Sequence, residues 1–268
     1  MLDPFNCLYA ISNFSNKVYV KIAECYLQEG DTVEADSFVT KAGAVVQDLP
    51  NPNDHRSLLL RYKSTYAQIL DANRKFLQAA SRYYELSQLT SEVDADELLH
   101  LLGRAATCAI LAPTGTQRQR ILGLVYKDQR LVQIDGIDEF STHSSIVRKM
   151  YMNQALKSHE IRKFEESLAE HQRTIFERVV TEHNILAVGK LYTNIYLTEL
   201  ANSLGVDVVK AEKLVAGMIV AGSLKASIDQ VDGLLSFENA GCALLSWDDA
   251  ITHFCVQLNR IAEEISNQ

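Results

Sequence analysis

The spacing of apolar residues changes character along the chain. Through residues 17–112 it is helical. Val18, Ile22, Cys25 and Tyr26 share one face of a predicted helix. Gly30-Asp31 interrupts that face, and a second helix is predicted to carry Val33, Ala35, Phe38, Val39 and Ala42. Leu49-Pro50-Asn51-Pro52-Asn53-Asp54 reads as a loop, because proline lacks an amide donor and fixes φ. The pattern then recurs. Leu70, Leu77, Ala79 and Tyr83 follow Tyr26, Val33, Ala35 and Val39 at a constant offset of 44 residues. Two helix pairs at that offset predict an α-solenoid of units of roughly 40 residues. A further helix is predicted from Asp96 to Leu111, with Leu98, Leu99, Leu102 and Ala106 on its apolar side. A solenoid needs capped ends. Leu2, Phe5, Leu8, Tyr9 and Ile11 read instead as the end of an earlier repeat. The expectation is therefore of missing N-terminal repeats, or of a shortened form.

Residues 113–172 are mixed. Pro113-Thr114-Gly115-Thr116 is a turn, followed by predicted helical stretches at Gln117–Tyr126, Ser145–Leu156 and Ser158–Leu168. Arg130 to Ser145 carries no assignable role. Beyond Arg173 the pattern sharpens. Glu177–Tyr192 is predicted helical through Val180, Ile185, Val188 and Leu191, and Ile195 forms a short extended link. Leu197, Leu200, Ala201 and Leu204 give a two-turn helix ending at Gly205. Its start is ambiguous, since Tyr196 stands where a Ser or Thr cap is usual and Thr198 offers an alternative. Asp207 is expected to cap a third helix, which buries Val208, Ala211, Leu214, Val215 and Met218 and ends at Gly222. Period two follows: Leu224, Ala226 and Ile228, a turn at Asp232-Gly233, then Leu235 and Phe237. Helix, link, helix, turn, helix, hairpin is the order of a winged helix.

The last segment carries Trp247, Ile251, Phe254, Leu258, Ile261 and Ile265, spaced 4, 3, 4, 3, 4. That is an a/d seam. Ser246 with Asp248 and Asp249 suits the start of its helix. Such a stripe either folds back on the chain's own core or meets a helix of another subunit, and its narrowness favours the second. The predicted organisation is thus mainly α: a TPR-like helical-repeat region over 1–172, a winged helix with a small hairpin wing over 173–240, and a C-terminal heptad helix over 241–268.

Composition narrows the function. Of 268 residues 47% are apolar and 22% charged, the profile of a folded chain. All four prolines precede residue 114, which favours helix thereafter. A net charge of −8 opposes bulk attraction to nucleic acid, though not a local basic patch. Five cysteines without CxxC spacing argue against a disulfide framework or a zinc knuckle, and for reduced thiols. No basic stretch leads into an apolar core at the N-terminus, where the first lysine is Lys17, so no secretory signal is read. Leu214–Gly222 is too short an apolar run to span a bilayer.

No catalytic constellation emerges. HExxH is absent, and His55, His100, His143, His159, His171, His183 and His253 are scattered without ligand spacing. Ala112-Pro113-Thr114-Gly115-Thr116 lacks the second glycine and the lysine of a phosphate loop. Ser144 and Ser145 lie near His143 without a strand–turn–helix elbow. Lys210 and Lys213 on the third winged-helix segment, with Lys225 at the hairpin, are offset by Asp207, Glu212 and Asp229, and no arginine is present there for bidentate guanine contacts. Phe76, Tyr83 and Tyr84 fit core packing better than base stacking.

Several stretches resemble a known family. They include Tyr19-Val20-Lys21-Ile22-Ala23, Ala79-Ala80-Ser81-Arg82-Tyr83, Cys108-Ala109-Ile110-Leu111-Ala112, Ala169-Glu170-His171-Gln172 and Lys190-Leu191-Tyr192. The most specific are Lys210-Ala211-Glu212-Lys213 and the wing Ser227-Ile228-Asp229-Gln230-Val231-Asp232-Gly233. With helical repeats running into a winged helix, the chain resembles PCI-domain proteins, named for the proteasome lid, the COP-nine signalosome and a translation initiation factor. The signalosome branch fits best. The resemblance implies a scaffold without catalytic residues, cofactor or metal of its own. It implies partners among other PCI-domain and metalloprotease-fold subunits of an assembly that removes a ubiquitin-like modifier from cullins. Cullin-RING ligases would be reached through the complex, with no nucleic acid or membrane bound, in cytoplasm and nucleus. Two interfaces are expected. The wing hairpin offers Ile228, Asp229, Gln230, Asp232, Gly233, Leu235 and Phe237, since an unpaired strand edge is a template for augmentation. The C-terminal seam offers Trp247, Ile251, Phe254, Leu258, Ile261 and Ile265. The rivals are a proteasome-lid PCI subunit and a nucleic-acid-binding winged helix.

Overall fold

A computed structural model of the chain describes residues 4–47, 56–90, 93–237 and 251–256. It divides into two compact units, residues 1–180 and 181–268. The first opens with two helical hairpins. α1 (Pro4–Glu29) pairs with α2 (Thr32–Gln47), and α3 (Arg56–Ala72) with α4 (Phe76–Ser87). Gly30 adopts φ +84°, a left-handed value that closes α1 and that a side chain would resist. Asp31 then turns its carboxylate onto the amides of Val33 and Glu34, both at 3.2 Å, and caps α2. Ala35 and Ala79 are buried, as are Val39 and Tyr83. The 44-residue offset therefore marks equivalent core positions in successive hairpins. Val33 departs from it and is 75% exposed.

From α5 (Ala95–Leu111) the linear stack becomes a bundle. Every residue from Ala105 to Leu111 is buried. The reason is that α4, α6 (Thr116–Lys127), α7 (Leu131–Ile134) and α8 (His143–Tyr151) all pack on α5. Residues 130–145 thereby acquire a role. Leu131, Ile134 and Phe140 are buried, and a Cβ on Gly103 would lie 2.6 Å from the Phe140 ring. Glycine permits that approach of ring to helix. Arg118, 3% exposed, closes the far end of α5 by donating to the carbonyl oxygens of Ile110 at 2.9 Å and Ala109 at 3.4 Å. Last-turn carbonyls lack intrahelical partners, and the cation also opposes the negative end of the helix dipole. His143 is buried beside Thr107, with Nε2 2.8 Å from Oγ1, and the hydroxyl donates onward to the Gly103 carbonyl at 3.1 Å. Burial pushes the His143 pKa down to about 4.

Two helix limits differ from expectation. α8 stops at Tyr151 instead of running to Leu156, because Asn153 turns left-handed at φ +53°. After α9 (Ser158–Glu166), α10 (Glu170–Leu191) begins well before Glu177. A tertiary contact fixes that start. The Gln172 side chain accepts from the Ala169 amide at 3.3 Å and donates to both Asp71 carboxylate oxygens, at 3.0 and 3.1 Å.

The second unit is the winged helix. After the last turns of α10 come β1 (Asn194–Tyr196), α11 (Leu197–Leu204), α12 (Val208–Val220), β2 (Ala226–Asp229) and β3 (Leu234–Phe237). The sheet is antiparallel in the order β1-β3-β2. Ile185, Leu200, Val215, Met218, Leu235 and Phe237 form its core. Gly205 ends α11 at φ +68°, as its sequence position predicts. Two capping expectations are corrected. Asp207 stands at the cap position of α12 but makes no side-chain cap bond. Thr198 does not move the start of α11, which begins at Leu197, whose amide donates to the Gly233 carbonyl at 2.8 Å. The wing backbone takes over the role that a capping side chain would have played.

Candidate functional site

The wing is built from alternation. Register pairs Ala226 with Phe237, Ser227 with Ser236, Ile228 with Leu235 and Asp229 with Leu234. Side chains at alternate positions face opposite sides. Leu235 is fully buried and Phe237 nearly so, both in the unit's own core, where Ala226 and Ile228 pack beside them. A Cβ on Gly189 would meet the Phe237 ring at 2.9 Å, so that ring is locked inward. Of the expected wing contacts, Leu235 and Phe237 are thus supports from within and not surface residues. Asp229, Gln230 and Asp232 are exposed, and Ile228 and Gly233 half-buried.

The turn is longer than Asp232-Gly233 alone. Gln230, Val231, Asp232 and Gly233 all lie between the paired strands, with only Gly233 left-handed, at φ +64°. The Asp229 carboxylate organises this loop, accepting from the amides of Val231 at 2.9 Å and Asp232 at 3.2 Å. Gln230 reaches back and donates to Glu212 Oε1 of α12 at 2.7 Å.

The direction of the backbone groups follows from two hydrogen bonds. Phe237 N donates to Thr193 O, and Leu197 N to Gly233 O, both at 2.8 Å. Each bond joins residues directly opposite in the β1–β3 register, so Gly233, Leu235 and Phe237 turn their peptide groups toward β1. Leu234 and Ser236 then turn theirs toward β2, where they meet Asp229 and Ser227. The peptide groups of Ala226 and Ile228 consequently point outward. Among the described residues nothing pairs with that edge. Asp229, a charge that would ordinarily guard it, is engaged by the loop amides, and exposed Lys225 stands just before the strand. Ala226 belongs to the predicted alternation but not to the expected wing contacts, although its place opposite a core aromatic is the signal that could have added it.

Of the C-terminal seam, Ile251 and Phe254 fall in a described helical stretch, 51% and 62% exposed. Trp247, Leu258, Ile261 and Ile265 lie outside the described residues. Among the described residues no group of three or more His, Cys, Asp or Glu could hold a metal ion, and no helix is long and apolar enough to cross a membrane.

Residues 145–239, which span α8 to the wing, match the model of the PCI domain. This stretch is therefore similar to PCI domains. Residues 14–96, covering the two N-terminal hairpins, match the family described as PSMD12/CSN4, N-terminal. The chain is 38% identical over 257 residues to COP9 signalosome complex subunit 4 of Dictyostelium discoideum, covering 93% of this chain and 62% of that protein. Its counterpart of the same name in Arabidopsis thaliana is 38% identical over 269 residues, covering 96% and 65%. That of Drosophila melanogaster is 37% identical over 255 residues, covering 92% and 60%. The chain thus spans about three fifths of the length of the curated relatives it matches. The free β2 edge lies inside the PCI segment.

Proposed function

We propose that this chain acts as a non-catalytic scaffold subunit of a COP9 signalosome, in cytoplasm and nucleus. By the family resemblance, the assembly it serves removes a ubiquitin-like modifier from cullin-RING ligases. The observation that carries the reading is the outward backbone edge of β2 within the PCI domain: a strand from a neighbouring subunit can extend the sheet there. The exposed Ile251 and Phe254 favour a second contact through the C-terminal helix. The names of the relatives favour the signalosome over the proteasome lid. A nucleic-acid role fares worse, since Glu212 and Asp229 sit among the lysines of α12 and the wing.

Reconstitution tests this. The other signalosome subunits of the same species, with and without this chain, are assayed on a modified cullin. The reading predicts a complete complex and full cleavage only with the chain, and no cleavage by the chain alone. Equal assembly and cleavage without it would overturn the reading.

A further inference from the structure

The first unit carries a groove that the assembly reading does not use. Its floor is one face of α3, where Ser57, Arg61, Ser64 and Gln68 recur at spacings of 4, 3 and 4. Two depressions of about 560 and 410 Å³ lie on it and share Ser57 and Arg61, which places them next to each other as the two ends of this channel. Ser57, Ser64 and Gln68 make no side-chain hydrogen bond among the described residues. Among the described residues these polar groups have no partner from the chain itself.

Charge is segregated along the channel. Lys17 and Lys21 of α1 line one end, and Asp94 and Glu97 at the start of α5 line the other. All four are exposed and none forms an ion pair among the described residues. The middle is neutral, because Arg61 is bound to Glu24, with Nε 2.6 Å from Oε1. Acidic residues at a helix start often serve the dipole. Asp94, however, occupies the cap position without bonding the first-turn amides, so its carboxylate stays available.

We infer that this groove holds an extended peptide segment of a partner protein, with acidic residues toward Lys17 and Lys21 and basic residues toward Asp94 and Glu97. Ser57 to Gln68 covers about 16 Å of helix at about 1.5 Å per residue. An extended strand covers that in about five residues at about 3.3 Å each. Serine and glutamine side chains between the charged ends bond its backbone. A nucleic-acid strand does not fit, since the carboxylates would repel its phosphates. The inference is independent of the assembly reading, which rests on the second unit.

A displayed library of random peptides, about twelve residues long, panned against the full chain tests it. Recovered peptides should carry acidic residues apart from basic ones. They should bind at least about tenfold more weakly to Lys17→Glu/Lys21→Glu and to Asp94→Lys/Glu97→Lys, and less tightly as salt rises. Thermal melts of Lys17→Glu/Lys21→Glu should match the parent chain, whose four groove charges are all exposed, while Asp94→Lys/Glu97→Lys, which sets cations against the positive end of the α5 dipole, should melt a few degrees lower but still cooperatively. Gln68→Ala, which leaves every charge in place, should weaken the same peptides by about three- to tenfold. Recovery of no peptide above background, or of peptides that bind the charge-reversed variants equally well, overturns the inference.

Discussion

Proline at Ala226 or Ile228 removes an amide that points away from β3, whereas proline at Ser227 removes one that points into the hairpin's own ladder. The three positions are adjacent, yet the expected outcomes differ in kind. A backbone hydrogen bond contributes about 0.5–1.5 kcal/mol net. The proline ring also occupies space that an added strand would need. Each outward substitution should therefore weaken a sheet-extending contact by about 1–2 kcal/mol, or roughly 5- to 30-fold in Kd. Both act on one incoming strand, so their effects couple, and the double variant should lose about 2–3 kcal/mol. Ala226 is the first residue of β2, where proline is tolerated, so its melting temperature should stay within a few degrees of the parent. Ile228 loses partly buried methyl groups and should cost about 1 kcal/mol of stability. Ser227→Pro should destabilise the second unit by about 1–3 kcal/mol through a broken ladder bond. Calorimetric titration against a neighbouring PCI-domain subunit, the partner that the proposed function expects, alongside thermal denaturation, separates these cases. If Ala226→Pro and Ile228→Pro bind like the parent while only Ser227→Pro weakens binding, the outer edge of β2 is not the contact.

Other consequences are open to measurement. Gly103→Ala should destabilise the first unit by about 1–2 kcal/mol, because overpacking against Phe140 outweighs the gain in helix propensity. The same change at Gly217, with open space around it, should stabilise α12 by about 0.5–1 kcal/mol, and equal signs in chemical denaturation would refute the packing argument. His143, neutral in the fold with a pKa of about 4 against the usual 6.5, gives its full contribution above pH 6.5, where neither state binds its proton. As pH falls from 6.5 toward 4 the unfolded chain protonates first, so up to about 3 kcal/mol should be lost across that window. His143→Gln should flatten this part of the stability–pH curve. Arg118→Met strands two buried carbonyls at the end of α5 and should cost about 2–4 kcal/mol by denaturant titration. Ile251→Asp with Phe254→Asp should leave the melt unchanged but prevent incorporation into the complex, and a large drop in melting temperature with incorporation intact would place that helix on the chain's own core.

Local signals made much of the fold readable. Gly30-Asp31, Gly205 and the Leu224–Phe237 alternation each act within a few residues, and each does in the structure what its chemistry requires. The 44-residue offset was readable because Ala35 and Ala79, and Val39 and Tyr83, fill the same layer of successive hairpins. What escaped depends on distant partners. The early start of α10 rests on Gln172 meeting Asp71, about a hundred residues away. Residues 130–145 make sense only against Gly103 of α5. Asp207 has the right residue type at the right position, yet makes no cap bond. At the wing, sequence located the hairpin but could not say which peptide groups face outward. That depends on hydrogen-bond parity with β1, set by Thr193 and Leu197.

The proposed function makes this chain a member of a signalosome, held there through its PCI-like segment. Affinity purification of the tagged chain from its own cells, with mass spectrometry of what accompanies it, tests that most directly. Expected is recovery of other PCI subunits with a metalloprotease subunit that acts on modified cullins, and their loss with the Ala226→Pro/Ile228→Pro double variant. Recovery of proteasome-lid subunits, or of the chain alone, would contradict it.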